Sequence, residues 1–76
     1  MESQTFTWGD TVLVVAAAPA RYRPNAAGSV SGIAVLENEE RARAFDETFG
    51  TTVYLVEFPD GDAQEIPARW LRLLDA

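Results

Sequence analysis

The stretch from Thr52 to Leu74, TVYLVEFPDGDAQEIPARWLRLL, constrains the fold more than any other part of the chain. Strand periodicity over Thr51 to Phe58 puts Tyr54, Val56 and Phe58 on one face and Val53, Leu55 and Glu57 on the other. Pro59-Asp60-Gly61 then supplies a fixed φ, an Asx-type turn former and a residue tolerant of positive φ, in the order a tight hairpin requires. Ala63 to Ile66 returns as a short strand. Pro67-Ala68-Arg69-Trp70 is too short for an α-helix and reads as one 3₁₀-like turn, after which Leu71 to Leu74 forms a last strand. A hairpin followed by a one-turn corner is how a very small β-barrel closes on itself.

The upstream half fits the same scheme. Trp8-Gly9-Asp10 is a turn leading into Thr11 to Ala16, a β-branched run with apolar residues at both parities, so both faces of this first strand are expected to be covered. Pro19 and Pro24 bracket a long loop carrying Arg21, Tyr22 and Arg23, since proline cannot donate within a central strand. Gly28 opens a second strand, Ser29 to Leu36, in which Gly32 marks a bulge or sharp bend. The period then changes. Asn38 caps a helix, with Glu39 and Glu40 in its first turn where the helix dipole favours acids. Ala42, Phe45 and Phe49 share one face, Glu39 and Arg43 are spaced for an ion pair, and Gly50 ends the helix near residue 48. The two phenylalanines are expected to bury against Leu13, Val15, Val53 and Leu55. The expected fold is one mainly β domain over residues 1–76, a small five-stranded barrel with a short helix between strands 2 and 3.

With 76 residues and no cysteine, the chain must build its core by packing alone, without disulfides or thiolate metal sites. That permits a reducing cytoplasm, the expected compartment. No basic segment precedes an apolar run at the N terminus, so no signal peptide is expected. The longest apolar run, Val12 to Ala18, falls far short of the roughly 20 residues of a membrane span. Abundant alanine with arginine as the sole cation resembles GC-rich bacterial coding. There is no histidine either, so the commonest general base and the strongest nucleophile are both missing, and a filled barrel leaves little room for a paired-carboxylate cleft. Neither enzyme activity nor a cofactor is expected. Asp60-Gly61-Asp62 lacks the spacing of a calcium loop and is explained by the turn, so no metal is expected.

Charge is unevenly placed. Glu37 to Glu65 holds nine acids and two arginines, a net charge of −7, while the flanks sum to +1. This field repels phosphate backbones, so direct nucleic-acid binding is not expected; it would steer a basic partner instead.

The order of elements, the corner EIPARWLRLL and the opening WGDTVLVV resemble SH3-like barrels, including bacterial and photosynthetic SH3-like accessory subunits. In the corner, Ile66, Pro67, Trp70 and Leu71 take the places of the family's closing motif. The Ala-Leu-Tyr-Asp-Tyr motif of eukaryotic SH3 domains is absent, Thr51-Thr52 stand where a tryptophan begins the third strand, and Arg21 and Arg23 occupy a usually acidic loop. Of that family's peptide groove only Pro67 and Trp70 carry over. The resemblance implies a non-enzymatic interaction module, an accessory or adaptor subunit docking on a larger protein.

Two surfaces could serve it. Trp8, Tyr22, Arg23, Pro67 and Trp70 could line one groove between the first loop and the corner, or Trp70 could simply plug the barrel's end beside a core of Phe6, Tyr54 and Phe58. Alternatively Glu39, Glu40, Asp60 and Asp62 could form the acidic face of an inhibitor, such as a toxin-immunity protein or a nucleic-acid mimic.

Overall fold

The computed structural model describes residues 5–74, so the expected domain of residues 1–76 extends past the described residues at both ends. Five antiparallel strands form one sheet in the order β4-β3-β2-β1-β5: β1 is Thr11–Val14, β2 Ala27–Val35, β3 Thr52–Glu57, β4 Ala63–Pro67 and β5 Leu71–Leu73. Short 3₁₀ turns at Ala20–Tyr22 and Ala68–Trp70 interrupt the first loop and precede β5. The fold is mainly β and barrel-like, as its alternation and turn chemistry imply.

The hairpin after β3 follows its sequence closely. Gly61 N–H donates to the Phe58 carbonyl at 3.0 Å, Gly61 has φ +92°, and Asp62 N–H donates to Asp60 Oδ1 at 3.1 Å. This is a type I turn closed by a glycine in the left-handed region, a three-residue hairpin loop.

Register slips between Val30 and Gly32, leaving Ser31 unpaired. Because strand side chains alternate, one extra residue exchanges the two faces. Val30 therefore faces the main core opposite Val56, whereas Ala34 and Leu36 point to the other side with Val53. The main core gathers Val12, Val14, Val30, Tyr54, Val56 and Ile66, capped by Phe6 and Phe58. Phe6 meets the Tyr54 ring edge-on at 5.1 Å between centroids, and its N–H donates to the Tyr54 hydroxyl at 3.1 Å. Val12 and Val14 are fully buried and Leu13 and Val15 half-buried, so both faces of β1 are covered.

The second core, Leu36, Ala42 and Val53, lies under the helix α1, Glu39–Ala44. Asn38 caps it, accepting from Arg41 N–H at 2.8 Å. The helix is shorter than its sequence implies. Asp46, at φ +55°, takes the left-handed position; Glu47 N–H donates to the Ala42 carbonyl at 2.8 Å and Asp46 N–H to that of Arg43 at 3.1 Å. This Schellman closure ends the helix one turn before Gly50. Gly50 instead serves the approach to β3, its N–H bonding the Leu36 carbonyl at 2.8 Å. The helix consequently does not carry Phe49, which is 66% exposed rather than buried beside Phe45. Phe45 is half-buried and joins the two cores.

Candidate functional site

The first loop is held firmly to the barrel. Asn25 N–H donates to the Val14 carbonyl and Val14 N–H to that of Ala26, both at 2.8 Å, continuing the β1–β2 ladder past the start of β2. Tyr22 N–H bonds the Pro19 carbonyl at 2.9 Å, and the turn so formed drives the Tyr22 ring into the main core, where only 3% of the residue is exposed. The surface role expected for Tyr22 is thus corrected: prolines on either side of it shape an inward-facing turn.

Arg23 follows at φ +63°, an uncommon conformation for a side-chain-bearing residue. Its guanidinium lies 4.4 Å above the Phe58 ring and reaches across to the hairpin, 2.9 Å from Asp60 and 3.3 Å from Asp62. Hydrogen bonding from Arg23 holds the Asp60 carboxyl below its ordinary range, and the Asp60 bond in turn raises Arg23. Arg23 was assigned by sequence to one surface and the two aspartates to another. The structure makes them a single ion cluster joining the first loop to the hairpin.

Beside this cluster, between the first 3₁₀ turn, α1 and the outer edge of β4, lies a cleft of about 210 Å³ lined by Arg21, Tyr22, Ala44, Phe45, Gln64 and Glu65. The Tyr22 hydroxyl is buried and its proton finds no acceptor, since the neighbouring Arg21 guanidinium can only donate. Burial raises the pKa of this phenol above its usual value of 10, while Arg21 acts in the opposite sense through its charge and through a hydrogen bond to the phenol oxygen. Arg21 lies 4.8 Å over the Tyr22 ring. Glu65 is met by Arg41 at 3.5 Å, and Arg41 also stands 5.6 Å over the Phe45 ring. One wall is therefore apolar and the rim is charged, with the buried Tyr22 hydroxyl belonging to a residue of that wall.

The corner is differently arranged. Pro67 is fully buried and Trp70 half-buried against the main core, with the Trp70 carbonyl accepting from Val15 N–H at 2.9 Å. Burial of both Tyr22 and Pro67 removes them from the exposed groove expected between loop and corner: the apolar residues flanking the turn are used for closure. Trp8 stands apart in the turn before β1, 67% exposed. Next to Trp70, Arg69 covers the indole at 4.6 Å and pairs with Glu47 at 2.6 Å, while its Nη2 reaches the Asp46 carbonyl at 3.5 Å. The Glu47 side chain is only 10% exposed, so this pair clamps the helix's end to the corner. Sequence reasoning missed it, since two residues 22 apart on unrelated elements carry no local signal.

No family model, curated protein or solved structure matches the chain. The acidic middle section is partly neutralised within the molecule: of its nine acids, Glu47, Asp60, Asp62 and Glu65 have arginine partners. Glu39 and Glu40 remain exposed in the first turn of α1, and no ion pair joins Glu39 to Arg43 among the described residues. Also among the described residues, no three acidic, histidine or cysteine side chains gather as metal ligands, and no helix is long and apolar enough to cross a membrane.

Proposed function

We propose that this chain is a non-enzymatic interaction module that docks on a larger protein, and that the cleft at Tyr22 is its docking site. The observation that carries this reading is the buried Tyr22 hydroxyl whose proton has no acceptor. Buried polar groups are nearly always hydrogen-bonded, because leaving one unsatisfied costs about 1–3 kcal/mol. A cleft that keeps such a donor beside an apolar wall and an arginine rim is suited to a ligand that supplies the missing acceptor. The long first loop, tight hairpin and one-turn corner support an SH3-like barrel as the scaffold, and the absence of cysteine from the sequence suits a cytoplasmic setting. The acidic-inhibitor alternative draws less support, since Arg23 already engages two of its four residues.

Site-specific photocrosslinking in native lysate tests the reading. A photoreactive residue at position 64, in the cleft, should give a discrete protein adduct that Tyr22→Phe diminishes. The same group at Ser29, which lines a separate surface depression, should not. Adducts from position 29 alone would place docking elsewhere.

A further inference from the structure

The cleft lies along a strand edge whose polarity can be read from its pairing. Phe58 N–H donates to the Asp62 carbonyl at 2.8 Å, which sets the phase of the β3–β4 ladder. Gln64 opposite Val56 and Ile66 opposite Tyr54 are then the hydrogen-bonded pairs. The backbone N–H and C=O groups of Ala63 and Glu65 point away from β3, and β4 is the last strand on that side of the sheet. Among the described residues neither takes a backbone partner outside the sheet. Glu65 lines the same cleft as Tyr22, whose buried hydroxyl proton lacks an acceptor.

We propose that the cleft receives an extended segment of a partner protein, which adds a sixth strand to the edge of β4, draws the exposed Arg21 side chain off the Tyr22 ring and places one main-chain carbonyl on the hydroxyl so uncovered. The inference rests on the interaction-module reading and names its binding mode. An extended backbone is the one ligand that answers both features, matching the outward groups of Ala63 and Glu65 while supplying a neutral acceptor. Arg21 lines the cleft without a carboxylate partner among the described residues, so the segment carries an acidic side chain at that point. Pro67 has no N–H to offer and ends the addition, which limits the pairing to about three residues.

The test uses the full chain. A random decapeptide display library is selected against it, and the tightest binder is synthesised as the probe. In the complex, exchange of the Ala63 and Glu65 amides should slow at least about tenfold, since both become hydrogen-bonded. Tyr22→Phe should weaken binding about fivefold while leaving the fold intact. Glu65→Pro removes an outward donor without touching the β3 ladder and should abolish binding; where that variant does not fold, the amide protection and Tyr22→Phe decide. A probe that binds but protects residues elsewhere, or binds Tyr22→Phe equally well, overturns strand addition and leaves the interaction module standing. Failure of the library to yield any specific binder counts against both.

Discussion

Gly28 is the position where the fold allows no side chain. A Cβ there would lie 2.6 Å from the Glu57 carbonyl oxygen and 2.7 Å from Val56 Cγ1. Neither neighbour can give way cheaply. The first is backbone of a strand paired on both sides, and Val56 is fully buried in the main core. To regain ordinary contact near about 3.5 Å, β2 and β3 must part locally by about an ångström, straining pairs on either side. Overpacking of this kind typically costs about 1–3 kcal/mol, and with a backbone atom as the obstacle Gly28→Ala belongs at the top of that range, about 3 kcal/mol. A 76-residue domain has about 4–11 kcal/mol of stability in all. The expected drop in Tm is about 12–24 °C. Urea denaturation with matched m-values would give the energy and a thermal scan the midpoint. Gly32→Ala is the control, since its Cβ would meet only the Leu55 side chain, at 3.2 Å, and should cost about 1 kcal/mol or less. A loss below about 1 kcal/mol for Gly28→Ala would refute the packing of β2 on β3 described above.

Further outcomes follow from the same geometry. Phe45→Ala, which empties a ring shared by both cores, should cost about 2–3 kcal/mol, whereas Phe49→Ser should change stability by about 0.5 kcal/mol or less; chemical denaturation separates them. Asp46→Gly should stabilise by about 0.5–1 kcal/mol by relieving a left-handed side-chain-bearing residue, and an unchanged or lower midpoint would contradict the helix closure. Trp70→Ala should cost about 1.5–3 kcal/mol, less than a fully buried tryptophan, because the ring is only half-covered. Asp60, held below 3.8 by Arg23, contributes stability that is present above that pH and is lost as pH falls through the lowered value. The stability difference between the native chain and Arg23→Gln should therefore shrink in acid below about pH 3.8, as read by urea midpoints at successive pH values.

The strands, the hairpin and the corner were legible because each is set by neighbours in sequence. Alternation fixed the faces of β3, and Pro59-Asp60-Gly61 fixed its turn. Gly32 announced the bulge, though not its consequence, which is to turn Leu36 beneath the helix. The helix end was misread because Gly50 is the stronger local signal. Asp46 takes the left-handed position instead, where the tertiary demand that Phe45 bridge two cores overrides propensity. The site was less legible. Tyr22 stood out, but its burial depends on packing that no local pattern encodes. Arg23 with the hairpin acids, and Arg69 with Glu47, are long-range pairs between exposed residue types, so composition gave their charges without their partners. Surfaces drawn from charge runs and aromatic counts consequently separated Arg23 from Asp60 and Asp62, which the fold joins.

The central claim is that the Tyr22 hydroxyl is a donor held in reserve, and the free protein tests it most directly. Removing a buried hydroxyl that lacks an acceptor takes away a desolvation cost and loses only the contact its oxygen makes with the exposed Arg21 side chain. Thermal and urea denaturation of Tyr22→Phe, without any partner, should give a midpoint equal to or above that of the native chain. A fall in stability of about 1 kcal/mol or more, the net worth of a typical hydrogen bond, would mean that the hydroxyl is already satisfied in the isolated domain and would contradict the account.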